Sequence, residues 1–354
     1  MNPVSHKPTG CFLIGVVGQD TTCDGNALIG SVSDDPYDIR TFLKEVRSPG
    51  KLDHIGTELI STTDHTLTER GYFARPGETT RGLNNAGLAF TCAMILEDES
   101  FERPEGLTPY ADLTDRMMRS CHGVDDAVAL FKSHGAVTPA YTVLLADASA
   151  NLVQMEVGSF GVEVLHRYSR SDPGIVLSIN CYQSQVLEKY NTPDSRLTNL
   201  ENNNAARLER GRQLAKQYHG KFDVAILAAI LSDHTNRERD PLENPILPAW
   251  GYSICNHGTR NRADYSIEDL PWGTVSAEIS EPSTGRFFYT YGWTCGEQPE
   301  FGDQIFQHNS WGRFVPFALP GRETTGESEQ IDLLSTIEGD VTAAGVRSLD
   351  CSAR

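Results

Sequence analysis

The chain has 354 residues, 39% of them hydrophobic and 22% charged, with a formal net charge of −18. That length and apolar content are enough to bury a large core in one or two domains. With 30 basic residues against 48 acidic ones, the balance argues against nucleic acid or anionic membrane as partner, because a phosphate backbone needs clustered Lys and Arg.

Residues 1–10 are rich in Pro, Ser and Thr and lack the apolar stretch of a signal peptide, so they read as a pro-segment or flexible lead. No apolar run approaches the roughly 18 residues of a membrane span. The 8 cysteines, at positions 11, 23, 92, 121, 181, 255, 295 and 351, show no paired spacing. Without an export signal they read as reduced thiols in the cytoplasm.

Cys11 follows a glycine and heads an apolar strand over 11–18. Asp24-Gly25 supplies a hairpin turn into a second apolar strand, 26–33, which ends in the acidic pair Asp34-Asp35. If the Gly10–Cys11 bond is cut, Cys11 holds a thiol nucleophile and a free α-amine in one residue. The amine, with an ordinary pKa of about 8, can act as base for the thiol. Asp34, at the end of the neighbouring strand, is placed to fold back towards that amine, and Asp35 competes for the role.

Further β-like stretches follow at 55–61 and 86–95. Between 109 and 134 the period becomes helical, with Leu113, Met117 and Met118 on one face and a second helix starting after Gly123. Strands return at 140–148, 151–157, 161–166 and 174–180. Residues 195–232 form a strong helical block, with Ser195 as cap and Leu197, Leu200, Leu208 and Leu214 near one face; its last part, from Val224, is an apolar helix. Strands at 274–279 and 286–291 close the sheet. The organisation expected is a lead (1–10), one catalytic domain (11–320) and a polar tail (321–354) in which a docking helix can start at Ile331.

Several segments carry a family pattern in chain order. They are the cysteine hairpin, Arg81-Gly-Leu-Asn84-Asn-Ala-Gly87-Leu-Ala, Tyr141–Asp147, Ser178-Ile-Asn180-Cys-Tyr182, Asn191-Thr-Pro-Asp-Ser195-Arg196 and Ser253-Ile-Cys255-Asn-His257. Together they resemble the cysteine branch of the N-terminal nucleophile (Ntn) hydrolases, above all the penicillin acyltransferase family and more distantly the choloylglycine hydrolases and related dipeptidases. The resemblance implies an α+β fold: a four-layer αββα sandwich of two antiparallel sheets flanked by helices.

It also implies a site. Cys11 is the nucleophile, Asp34 steadies the amine and the Asn180 side-chain NH₂ is an oxyanion donor. The second donor is a backbone N–H that the sequence does not name. Thr91, Tyr182, His257 and Ser276 are expected around the substrate. Cys255-x-His257 falls short of a zinc site, having no second ligand pair, so neither metal nor cofactor is expected. Two departures stand out: Phe12 replaces a small hydroxyl residue, and Gly30-Ser31 lacks the arginine that the choloylglycine and dipeptidase branches place there. The second departure directs the reading to the acyltransferase branch.

The expectation is an amidohydrolase that acts on a non-peptide amide of a small molecule through an acyl-thioester. Transfer of the acyl group from a donor to an amine acceptor is the alternative within the same chemistry, and a silent ligand-binding relative is the alternative outside it. Acyl and amine pockets are expected from the loops 62–80 and 234–252. Homo-oligomerisation is left open.

Overall fold

Strict alternation in the first strand decides the layering. In β1 (Gly10–Val17), Cys11, Leu13 and Val17 face one way, and Phe12, Ile14 and Val16 the other. Both faces are buried, so the strand lies in the middle of a stack rather than on its outside. The computed structural model describes residues 10–36, 39–61, 78–192, 200–234, 253–256, 272–296, 312–319 and 329–332.

β1 pairs antiparallel with β2 (Leu28–Pro36), in a register that sets Gly10 opposite Asp34 and Cys11 opposite Ser33. The remaining strands in chain order are β3 (Ile39–Arg47), β4 (His54–Ser61), β5 (Arg81–Asn84), β6 (Leu88–Ile95), β7 (Thr108–Pro109), β8 (Val137–Thr138), β9 (Ala140–Asp147), β10 (Asn151–Gly158), β11 (Gly161–Ser169), β12 (Gly174–Ser178), β13 (Trp272–Glu281), β14 (Arg286–Tyr291), β15 (Val315–Ala318) and β16 (Glu329–Asp332). Four α-helices are described: α1 (Tyr110–Ser120), α2 (Val124–His134), α3 (Leu200–Gln217) and α4 (Val224–Leu231).

Two sheets result, ordered β12-β1-β2-β13-β14-β15 and β11-β10-β9-β6-β5-β4-β3-β16, and every pairing within them is antiparallel. Between them lies one apolar cluster, with Cys11, Leu13, Ile29 and Tyr289 from the first sheet against Leu83, Ala89, Ala93 and Leu144 from the second. A second cluster joins the outer face of the six-stranded sheet to α3 and α4. A third joins the outer face of the eight-stranded sheet to α1 and α2. The layers are therefore helix, sheet, sheet, helix, the αββα architecture of the Ntn hydrolases.

Local chemistry explains several of the motifs. Asn84 ends β5 and accepts from the N–H groups of Ala86 and Leu88, while its Nδ2 donates to the carbonyls of Met118 and Cys121 at the end of α1. Gly87 completes that turn at φ +83°, a conformation side chains resist. Asn-x-x-Gly is thus a clamp between a tight turn and a helix end. Asn191 works similarly, accepting from Tyr182 N and donating to Tyr182 O, which fixes the chain just beyond Asn180.

The expected Asp24-Gly25 turn lies in the connection between β1 and β2, with Asn26 N donating to Asp24 Oδ1, and that connection is pinned to Phe222. Two readings need correction. Strand β3 was hidden by its charges, and Lys44 is neutralised by Glu58 across the sheet at 3.0 Å. Finally, Glu329–Asp332 is a strand and not the start of a docking helix: the edge of β3 has a row of open backbone groups, and β16 pairs with it antiparallel. The rest of that tail, Ser195 and Leu197 lie outside the described residues, as do residues 62–77 and 235–252.

Candidate active site

Cys11 sits on the inward face of β1, buried between the sheets. Its backbone N–H donates to Asn180 Oδ1 at 2.5 Å. Asn180 lies just past the end of β12, the strand beside β1, and one of its Nδ2 hydrogens is given to Met94 O at 2.9 Å. A donor on one side and an acceptor on the other fix which way the amide points. Asn180 thus stands beside Cys11, with its oxygen and not its NH₂ at the Cys11 nitrogen.

On the thiol side stands a residue the reading missed. Arg81 Nη2 lies 3.7 Å from Cys11 Sγ, delivered from β5 across the sandwich. The same nitrogen reaches Cys92 O at 3.4 Å, and Nε donates to Ser31 Oγ at 3.1 Å. Glu278 on β13 pairs with the guanidinium at 3.3 Å and also accepts from Ser31 and Ser276. The small residue at position 31 leaves the space that the arginine of β5 occupies. Burial works against charge on Arg81, but Glu278 and Cys11 outweigh it, so the guanidinium stays protonated. No local signal marked Arg81, because its partner is 70 residues away.

Burial pushes the Cys11 thiol up to about 11; Arg81 pulls it down, while Asp35 and Asp34 push it further up. The site in the continuous chain therefore holds a thiol, with one cation ready to receive the thiolate.

Asp34 is one register step from Cys11, opposite Gly10, but its carboxylate is engaged elsewhere. Oδ2 pairs with Arg207 of α3 at 2.7 Å, both groups fully buried, and Thr274 Oγ1 donates to Oδ1 at 2.7 Å. Burial lifts the Asp34 carboxyl to about 6, against the pull of Arg207 and Thr274. Asp35 accepts from Ser33 Oγ, and its charge bears on both Cys11 and Arg81.

The other expected residues separate. Thr91 faces the sandwich interior with Ala89 and Ala93, and its hydroxyl is buried with no partner. An unsatisfied buried hydroxyl costs about 1–3 kcal/mol. Ser276 belongs to the Arg81 network, bonded to Thr41 and Glu278. Tyr182 donates to Glu97 at 2.6 Å, and Glu97 also holds Ser159 through its N–H and its hydroxyl. His257 lies outside the described residues. Asn256 is tied to Thr274, accepting from its N–H and donating to its Oγ1. A cavity of about 400 Å³ opens beside β12, lined by Gln154, Ile175, Leu177, Gln183, Leu208 and Arg212 among others; Cys11 is not in its lining.

The sequence model of one family, described as acyl-coenzyme A:6-aminopenicillanic acid acyl-transferase, matches residues 35–260, more than half of the chain. The chain belongs to this family. The match begins one residue after Asp34, so it leaves Cys11 outside. The chemistry in that family's description is acyl transfer. No curated protein sequence matches it. Among solved structures it is similar to a mutant conjugated bile acid hydrolase from Clostridium perfringens, with 11% identity, 89% of this chain and 98% of that one covered, and a TM-score of 0.47. It is also similar to penicillin V acylase from Agrobacterium tumefaciens, with 13% identity, coverages of 79% and 83%, and a TM-score of 0.42. A third is the Caenorhabditis elegans ortholog of N-acylethanolamine-hydrolyzing acid amidase, with 10% identity, coverages of 87% and 100%, and a TM-score of 0.41.

No helix among the described residues is long and apolar enough to cross a membrane. Among the described residues no group of His, Cys, Asp and Glu is placed to hold a metal.

Proposed function

We propose that Cys11 becomes the first residue of the working enzyme and that the protein hydrolyses a non-peptide amide of a small molecule through a thioester on Cys11. One observation carries this reading: the two atoms the chemistry needs are each met by a fitting partner, Asn180 Oδ1 at the Cys11 nitrogen and Arg81 at its sulfur.

Cutting Gly10–Cys11 converts the Cys11 N–H into an α-amine that Asn180 is already placed to orient. The amine takes the thiol proton, and the thiolate forms beside Arg81. A positive neighbour lowers a thiol pKa, and the new α-ammonium adds a second cation to the first. Sγ then bonds to the amide carbonyl carbon, and the π pair moves to oxygen. The second Nδ2 hydrogen of Asn180 is a donor for that oxygen. Collapse breaks the C–N bond, and the α-ammonium gives its proton to the departing amine. Water, giving a proton to the α-amine, attacks the thioester; the C–S bond breaks and the thiolate returns. Asp34, next to the cut in the ladder, gains a nearby cation on processing and serves as its counter-charge.

Acyl transfer to an amine is the second reading, favoured by the description of the family itself. Incubation of purified protein with a panel of N-acyl amides, with and without a competing primary amine, separates the two. Free acid from the parent enzyme and none from Cys11→Ala supports hydrolysis. Exchanged amide as the main product supports transfer. Turnover unaffected by Cys11→Ala overturns both.

A further inference from the structure

We propose that the hydroxyl of Thr91 is a further oxyanion donor of this site, beside Asn180 and the backbone N–H that the resemblance implies, with the Arg81 guanidinium close by. The proposal rests on Cys11 as nucleophile and adds the group that receives the charge.

Three observations lead there. First, Asn180 has little left to offer: its oxygen holds the Cys11 nitrogen, and one of its two Nδ2 hydrogens is spent on Met94. Each further donor strengthens the hold on a tetrahedral intermediate, because the negative charge of the thiolate moves onto one oxygen.

Second, Thr91 Oγ1 is buried and has no hydrogen-bond partner, whereas its polar neighbours in the interior are satisfied. Thr41, Ser276, Ser31 and Glu278 form a closed chain of bonds with Arg81. Thr142 and Ser178 bond to each other. A hydroxyl left open in such company is accounted for by a group that arrives with the substrate.

Third, its place fits. In β6 the side chains of Leu88, Phe90 and Cys92 pack towards α1 and α2, which leaves Thr91 on the inner face with Ala89 and Ala93. Those two alanines share the central cluster with Cys11, and their small size limits crowding about the hydroxyl. Arg81 Nη2 touches both Cys11 Sγ and the carbonyl of Cys92, the residue after Thr91, so one nitrogen links the nucleophile to this stretch of β6.

The roles then divide by timing. Arg81 faces negative charge before attack, on sulfur, and after it, on oxygen. Thr91 gains its partner only when the carbonyl is bound and donates most strongly when that oxygen becomes an anion. A contact strengthened in the transition state raises kcat and leaves KM nearly unchanged.

The test uses ¹³C-carbonyl phenylacetaldehyde, which adds to a cysteine thiol as a thiohemiacetal and places its oxygen where the oxyanion forms. The S–C bond forms, the π pair moves to oxygen and the thiol proton is retained, so no co-reactant is needed. Affinity is read by NMR titration on the full-length parent protein, Thr91→Val, which keeps the shape and removes the hydroxyl, and Thr91→Ser, which keeps the hydroxyl. Iodoacetamide alkylation of Cys11, followed by mass, reports the thiol without an oxyanion. We expect Thr91→Val to weaken the adduct at least tenfold, Thr91→Ser to stay within about threefold of the parent, and all three to be alkylated at equal rates. An adduct of parent affinity in Thr91→Val overturns the proposal. So does an equal loss in Val and Ser variants, which marks a packing role. Absence of both adduct and alkylation at Cys11 in the parent protein overturns the nucleophile itself.

Discussion

Removing the positive charge beside the nucleophile gives the sharpest test of the site's electrostatics. Arg81→Gln alone leaves Glu278 buried and unpaired, so the variant to make is Arg81→Gln with Glu278→Gln, which keeps the interior neutral. At the 3.7 Å separation of guanidinium and sulfur, Coulomb's law with an effective dielectric of about 20 gives roughly 4–5 kcal/mol of thiolate stabilisation. Each 1.36 kcal/mol is about one pKa unit, so the attraction amounts to roughly three units at most. The Ser31 and Cys92 contacts that share the guanidinium reduce it, and a rise of one to two units is expected from the double substitution. Burial already pushes the thiol up to about 11 in the continuous chain, against the pull of Arg81. Alkylation of Cys11 by iodoacetamide, followed by peptide mass from pH 6 to 11, measures the shift. At pH 8 the double variant reacts about ten to a hundred times more slowly than the parent. A profile displaced by less than about 0.3 unit refutes the assignment of Arg81 as the thiolate partner.

Arg207→Leu leaves the Asp34 carboxylate buried without its cation and lowers stability by about 3–5 kcal/mol in urea unfolding, most of it recovered by adding Asp34→Asn; a loss under about 1 kcal/mol contradicts the pair as a buried one. Because burial lifts Asp34 to about 6 from an ordinary 3.8, the folded state holds this proton more tightly than the unfolded chain. Its contribution to stability is therefore present below about pH 4 and is lost as the pH rises through 6. The melting temperature of the parent falls over that window relative to Asp34→Asn, and parallel curves for the two proteins argue against it. A Cβ at Gly158 lies 1.7 Å from the Tyr182 hydroxyl, so Gly158→Ala forces Tyr182 from Glu97 and costs about 1–3 kcal/mol in the same unfolding assay; a neutral result shows that this contact is soft.

How much of this was legible in the sequence follows from the range of each signal. The alternation of residues 11–17, the Gly123 helix start and the strands from 140 to 178 are local patterns, and they match β1, α2 and β9 to β12 within a few residues. β3 carries Arg40, Lys44, Glu45 and Arg47, and such a charged stretch reads as surface until Lys44 is seen paired with Glu58. Asn180 was marked through the motif Ser178-Ile-Asn180-Cys-Tyr182, and its partner is the nucleophile's own nitrogen. Arg81 was visible only as the head of a motif whose Asn84 and Gly87 are explained by a turn and a helix clamp. Its approach to Cys11 depends on two sheets facing each other, which no short window of sequence carries. The same holds for Arg207, which reaches Asp34 from a helix on the far side of the first sheet.

The account depends on Cys11 offering both sulfur and amine, and intact mass with N-terminal sequencing of catalytically active protein tests that most directly. A mature chain beginning at Cys11, with Cys11→Ala remaining uncut and inactive, is the result the account predicts. Active protein in which the peptide bond to Gly10 is still whole contradicts it.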